Sequence, residues 1–327
     1  MKNHLPDLPR TDITGFLQPW GDVVTYTALT PEVSPRQYFR LEFSDTTYKI
    51  LCFDPEFSLK TGDFLELAEF FGQNNITVPQ IFASDARQKL LLQEDCGEEI
   101  NTLKDEQYWQ ALQNCSQQLL HLHKIQAHPK IQSRSFDLNK LMSEMEMTYS
   151  YFEKAKQMFQ LRSSISVEFQ EFVENTCRFL SNYTPLVICH RDYHSRNILQ
   201  KETGELVWID FQDAMLGTPL YDFVSLVFDS YRPLSLYKRE DLYKKFLQSS
   251  PYANNRFREC YVLQAFQRSF KALGTYLKMA LEKKADKYRE SILYCLANLK
   301  EITQIGFLPD EEFLFFELLS TELHEKL

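Results

Sequence analysis

Asp192, Asn197 and Asp210 are the residues of this chain whose types and spacing can do chemistry. They interrupt apolar runs in the stretch 186–226, LVICHRDYHSRNILQKETGELVWIDFQDAMLGTPLYDFVSL. Two carboxylates and an amide suit phosphoryl transfer, which asks a protein mainly for positioning and charge neutralisation. One carboxylate must face the attacking hydroxyl and accept its proton. An amide oxygen and a second carboxylate must hold Mg²⁺ against nucleotide phosphates, because hard cations prefer oxygen ligands. This assigns Asp192 as the base and Asn197 and Asp210 as metal ligands.

The surrounding pattern supplies elements to position them. Residues 186–189 are a short branched apolar run that predicts a buried strand, and 197–199 and 206–209 predict two more. Between the latter lies Lys-Glu-Thr-Gly, a turn in which Gly204 supplies the permissive backbone. Such a hairpin would bring Asn197 and Asp210 together beside the loop carrying Asp192. A lone His-Arg-Asp would read as an ordinary hydrogen-bonded turn. The two further anchors at this spacing, His-Arg-Asp-x4-Asn followed by Ile-Asp-Phe, fit a kinase catalytic loop and its metal-binding Asp.

CHRDYHSRNIL and WIDFQDAMLGTPLYDFVSL resemble the aminoglycoside phosphotransferase and choline kinase superfamily. They look most like its bacterial branch of cell-wall amino-sugar kinases, the N-acetylmuramate/N-acetylglucosamine anomeric kinases. The resemblance implies a bilobal, α+β, protein-kinase-like fold: a small antiparallel-sheet lobe over 1–94 and a larger helical lobe over 95–327. It implies ATP and Mg²⁺, and it gives His190 and Asp222 a structural role, Asp222 bracing the catalytic loop.

Bulk composition agrees with such a protein. A chain of 327 residues is long for one simple core and suits two lobes. The net charge of −9 argues against broad nucleic-acid binding, while a local pocket with Mg²⁺ still accommodates ATP. The seven cysteines are scattered with no C-x-x-C pair, which reads as reduced thiols in a cytoplasmic protein. The start MKNHLPDLPR lacks the apolar core of a signal peptide, and no run of about 18 apolar residues predicts a membrane span.

In the first lobe, 12–20 predicts a short capped helix, and strands are expected over 23–29 and on both sides of the segment S34-P-R-Q-Y-F-R40. That segment stands where a kinase has its nucleotide-covering loop and resembles the branch's S-x-R-R-Y-F-R. It has no glycine, so phosphate contacts fall to Ser34, to arginines such as Arg36, or to backbone amides. Lys49, on the next strand, is the candidate phosphate-contacting lysine; an outward-facing strand lysine is the plain alternative. The helix expected over 61–75 carries Glu66 and Glu69, and the sequence does not choose which would pair with Lys49. The resemblance continues through VPQIFASD and LLLQEDCG, and it implies that residues 93–97, Glu94 among them, form the hinge between lobes that holds adenine through its backbone.

In the second lobe, helices are expected over 106–127, from 136 onward, over 166–183 and over 256–281. His121 and His123 point to different faces of a helix and make a poor metal pair. The segment Q267-R-S-F-K-A-L-G274 resembles the branch's QR-x2-K-x-LG. Gln267, Arg268 and Lys271, with Arg196 of the catalytic loop, are therefore the candidate acceptor contacts. Gln267 would hold an N-acetyl group, and Arg268 or Lys271 a lactyl carboxylate. The expected function is ATP-dependent phosphorylation of a small-molecule hydroxyl, at the anomeric position of an amino sugar. The alternatives are an aminoglycoside- or choline-type phosphotransferase, or a non-catalytic nucleotide-binding module.

Overall fold

Short runs alternating in polarity fill the first hundred residues and long amphipathic runs fill most of the remainder, and the structure sorts them accordingly. The computed structural model describes residues 6, 8, 12–29, 35–57, 60–283, 288–305 and 310–326. The chain divides into two units, Met1–Glu99 with Ile198–Asp213, and Ile100–Asn197 with Ala214–Leu327. This differs from a single cut at 94/95, because the hairpin after the catalytic loop belongs with the first unit.

The first unit opens with α1 (Ile13–Leu17), whose N-terminus is capped by the Asp12 side chain accepting from Gly15 N–H. Then come β1 (Val23–Ala28), β2 (Gln37–Phe43), β3 (Tyr48–Phe53), α2 (Lys60–Gln73), β4 (Ile81–Asp85), β5 (Leu90–Glu94) and the two-residue β6 (Glu98–Glu99). The strands β1 to β5 form one antiparallel sheet in the order β1-β2-β3-β5-β4. Side chains alternate between its faces with a period of two. Phe39, Leu41 and Phe43 of β2, Leu51 and Phe53 of β3, and Leu90 and Leu92 of β5 share one face. They form a core with Ile13 and Leu17 of α1. The opposite face carries Tyr38 and Arg40 of β2 with Ile50 and Cys52 of β3, since Tyr38 pairs with Cys52 and Arg40 with Ile50.

The second unit begins with α3 (Asp105–Leu122), α4 (Pro129–Gln132), α5 (Leu138–Phe159), α6 (Val167–Ser181) and β7 (Val187–Cys189). The helix expected over 106–127 thus stops earlier, because Pro129 starts α4 and the approach to it is extended at His128. His123 is buried with its ring against Phe246 and Tyr252, and burial pushes its pKa down to about 3. It is a core residue. The chain then returns to the first unit as the hairpin β8 (Ile198–Gln200) and β9 (Leu206–Trp208). β6 pairs with β8, and Gly97 at φ +88° lets the chain run against the Gln200 carbonyl, where any Cβ would collide.

The second unit resumes with β10 (Met215–Gly217), antiparallel to β7, and continues through α7 (Tyr221–Val227), α8 (Leu236–Ser249), α9 (Phe257–Lys283), α10 (Arg289–Gln304) and α11 (Asp310–Lys326). The long α9 packs against α5, α6, α7 and α10. Gly274 makes its crossing with α5 possible, because a Cβ there would sit 2.7 Å from Thr148 Cα. All seven cysteines are free and buried. Among the described residues no helix is long and apolar enough to cross a membrane.

Candidate active site

The loop between β7 and β8 carries Asp192, and two buried carboxylates hold its backbone. Asp222, in the first turn of α7, accepts hydrogen bonds from His190 N–H at 2.5 Å and Arg191 N–H at 3.0 Å. Asp229, after α7, accepts from Ser195 N–H at 2.8 Å and Tyr231 N–H at 2.7 Å. Burial pushes the Asp222 carboxyl up to about 7 against the pull of those two amides, and it raises Asp229 as well. The loop needs this fastening because Arg191 takes a left-handed backbone, φ 84°, which a side chain disfavours. The expected Asp222 brace thus has a partner that sequence reasoning missed. The only signal for Asp229 was an acid directly after the apolar run FVSLVF. His190 itself is fully buried, its ring 5.6 Å from that of Tyr193.

Asp192 lies between cations. Its carboxylate accepts from Arg268 Nη2 at 3.3 Å and has Lys271 Nζ at 4.0 Å, and its side chain is 29% exposed. Burial works to raise its pKa, but Lys271, Arg268 and Arg191 together outweigh burial and hold it well below the usual carboxylate range. Arg268 is fixed from behind, its Nε donating to Ser225 Oγ of α7 at 2.8 Å. Burial lowers the Lys271 pKa, helped by Arg268 and opposed by Asp192 and Glu144. Gln267 is fully buried. Its oxygen accepts from Gln264 at 3.0 Å and its nitrogen donates to Glu144 at 3.3 Å. Each end of the amide thus already has a protein partner, and the side chain is closed off from solvent. Arg196 stacks its guanidinium over Tyr231, 4.8 Å from the ring centre.

Asn197 ends the same loop. Its amide nitrogen donates to the Asp192 carbonyl at 3.0 Å and lies 3.3 Å from His194 Nε2. Burial pushes His194 down to about 3, so this imidazole is neutral. With the nitrogen turned inward, the Asn197 oxygen is the atom left for a hard cation.

In the first unit, Asp210 follows β9 with a left-handed φ of 62°, a conformation that Asp tolerates better than most residues. One carboxylate oxygen accepts from Gln212 Nε2 at 2.7 Å. The next residue, Phe211, is stacked on Phe64 of α2 at 4.8 Å and edged by Phe71 at 5.4 Å. These rings fix where Asp210 stands. Gln212 was in plain view within IDFQDA but was given no role. Asp210 and Asn197 each offer an oxygen, the donor type that a hard cation such as Mg²⁺ prefers.

The other expected nucleotide contacts divide. Lys49 shares the face of Leu41, Leu51 and Phe53, and its ammonium lies 5.1 Å from the Phe43 ring centre and 4.8 Å from that of Phe82. Among the described residues it pairs with neither Glu66 nor Glu69; the carboxylate that feels its charge is the exposed Asp45 of the β2–β3 turn, whose pKa Thr47 hydrogen bonds and, more weakly, Lys49 lower. Arg36 points to the opposite face, its Nε donating to the buried Asp54 at 2.9 Å. Glu94 is salt-bridged to Lys201 at 2.7 Å, and its carboxylate also accepts from Gln80 N–H. Ser34 lies outside the described residues.

Comparison with known proteins places this arrangement. Residues 25–247 match the phosphotransferase enzyme family. A Neisseria meningitidis serogroup B protein named N-acetylmuramate/N-acetylglucosamine kinase is 25% identical over 284 residues, covering 82% of this chain and 83% of that one. A Pseudomonas putida protein of the same name is 22% identical over 309 residues, covering 89% and 87%. Among solved structures, the aminoglycoside phosphotransferase APH(4)-Ia in ternary complex with ADP and hygromycin B superposes with a TM-score of 0.61 at 14% identity, covering 90% of this chain and 99% of that one. The choline kinase LicA from Streptococcus pneumoniae gives 0.59 at 14% identity, covering 89% and 98%. These likenesses agree with an antiparallel-sheet N-terminal part and a helical C-terminal part.

Proposed function

The chain belongs to the phosphotransferase enzyme family and acts on a hydroxyl acceptor, and we propose that it transfers the γ-phosphoryl group of ATP to the anomeric hydroxyl of N-acetylmuramate or N-acetylglucosamine. The observation that carries this reading is the pair of cations, Arg268 and Lys271, beside the Asp192 carboxylate. Choline and aminoglycosides are cations, and both would approach two like charges there. A lactyl carboxylate, by contrast, would meet two partners of opposite sign. The names of the curated relatives point the same way.

The mechanism follows from these charges. Asp192 is held ionised by its neighbours and accepts the acceptor's proton as the acceptor oxygen bonds to the γ-phosphorus and the bond from that phosphorus to the bridging oxygen breaks, with ADP leaving. The same neighbours make it a weak base. An anomeric hydroxyl suits a weak base, because the ring oxygen withdraws electron density and makes it more acidic than an ordinary alcohol. An acceptor carboxylate drawing on Arg268 and Lys271 would release part of their hold on Asp192 and raise its basicity on binding. Asn197 and Asp210 are the proposed Mg²⁺ ligands, and Mg²⁺ when bound supplies neutralisation of the phosphate charge.

The test is incubation with Mg-ATP and each sugar, choline and an aminoglycoside, with product assignment by phosphorus–proton NMR coupling. A sugar 1-phosphate that loses its reducing end and releases phosphate in mild acid is expected. A 6-phosphate would keep the kinase and sink the anomeric reading. Turnover of choline or an aminoglycoside alone would overturn the acceptor class.

A further inference from the structure

The strand that bears the phosphate-contacting lysine in protein kinases is the third of the N-terminal sheet, and here that strand offers its one lysine to the wrong face. Lys49 pairs with Leu41 and projects into the core side of the sheet, among Phe43 and Phe82. On the other face, β3 contributes Ile50 and Cys52. The neutral Cys52 thiol, pushed up to about 12 by burial, brings no charge to that face. Two arginines stand on that side: Arg40 of β2, which is ion-paired with Asp95, and Arg36 just before β2. Arg36 is two residues before Tyr38, hence on the same face; its Nε donates to Asp54 at 2.9 Å, and its charge helps hold down the Tyr38 pKa that burial raises. Tyr38 in turn interacts electrostatically with Asp210 as well as with Arg36. Arg36, Tyr38 and Cys52 thus share one face of the sheet in the first unit, where Tyr38 also feels the Asp210 charge, and Lys49 is on the other face.

We propose that Arg36, anchored by Asp54 at the end of β3, replaces the strand lysine as the side chain that contacts the nucleotide phosphates, with Cys52 standing where a lysine would have reached them. This rests on the reading of ATP as the phosphoryl donor. A planar guanidinium engages phosphate oxygens through paired N–H donors, and Asp54 fixes the plane through Nε. That arrangement also accounts for a covering segment without glycine: the contact is made by a side chain held on the sheet, so close backbone approach is not required.

The experiment measures Mg-ATP affinity by titration calorimetry, with thermal melting as the check on folding. Wild type, Arg36→Met, Lys49→Met and the double variant Arg36→Met/Cys52→Lys are compared. Arg36→Met should weaken ATP binding about tenfold or more, the range for a lost hydrogen bond to a charged group. Lys49→Met should leave affinity within about twofold of wild type, since its ammonium lies over the Phe43 and Phe82 rings on the other face of the sheet. Cys52→Lys in the Arg36→Met background should recover part of the loss. Unchanged affinity in folded Arg36→Met overturns the proposal. If Arg36→Met does not fold, Lys49→Met decides: a tenfold loss there restores the strand lysine and removes Arg36. A wild type that does not bind ATP defeats the donor reading instead, so the two failures are distinct.

Discussion

Replacing Lys271 by Met tests whether the cations beside Asp192 tune the base as well as the acceptor. At 4.0 Å two unit charges attract by about 4 kcal/mol in an effective dielectric of about 20. Asp192 is 29% exposed and keeps Arg268 at 3.3 Å, so only about a third of that, roughly 1.4 kcal/mol, should be felt at the carboxylate. Cations lower the Asp192 pKa, so removing one must raise it. The acid limb of kcat/KM, which reports the free enzyme's base, should therefore move upward by about one pH unit. Near neutral pH Asp192 stays ionised in both proteins, and turnover there should not fall for lack of base. The variant should also lose about tenfold in its preference for N-acetylmuramate over N-acetylglucosamine, the worth of one charge-assisted contact. The assay is a pH series of kcat/KM for both sugars. An acid limb that does not move, with both sugars affected equally, would falsify the electrostatic role of Lys271 and leave it a packing residue.

Other consequences are as direct. Asp192→Asn should lower kcat by about 10²-fold or more while Mg-ATP affinity is retained; near-normal turnover would remove Asp192 from the chemistry. Asp210→Ala should weaken Mg²⁺-dependent nucleotide binding more than Asn197→Ala, because only Asp210 brings a full charge, and nucleotide titrations at several Mg²⁺ concentrations read this; equal Mg²⁺ dependence in wild type and Asp210→Ala would contradict the assignment. Gly274→Ala should destabilise the protein by about 1–3 kcal/mol, because the new methyl meets Thr148 across the α5–α9 crossing. Urea unfolding measures it, and an unchanged midpoint would mean that the two helices separate at no cost.

Much of this protein is written locally in its chain. The strand–loop–hairpin around Asp192, Asn197 and Asp210 was legible because short branched runs, a Gly204 turn at φ +86° and polar residues at fixed spacing each act over a few residues. Helix starts were legible for the same reason: Asp12, Asp137 and Ser166 cap their helices with their own side chains. The orientation of Lys49 was not legible. Strand β3 reads YKILCF, apolar on both faces, so alternation could not say which side would be covered; only the packing of α1 on Leu41, Leu51 and Phe53 decided that. The same holds on α9, where Gln267, Arg268 and Lys271 are polar residues of an apolar helix and their sequence spacing does not distinguish their roles. Tertiary structure separated them, closing Gln267 into a buried network with Gln264 and Glu144 and turning Arg268 and Lys271 toward Asp192. Asp229 and Gln212 also became visible only in the fold, since a carboxylate that holds a backbone amide 34 residues away leaves no periodic trace. Sequence determines what local sterics and hydrogen bonding can settle. Which face meets which, and so which charge a base must live beside, is settled when the layers close.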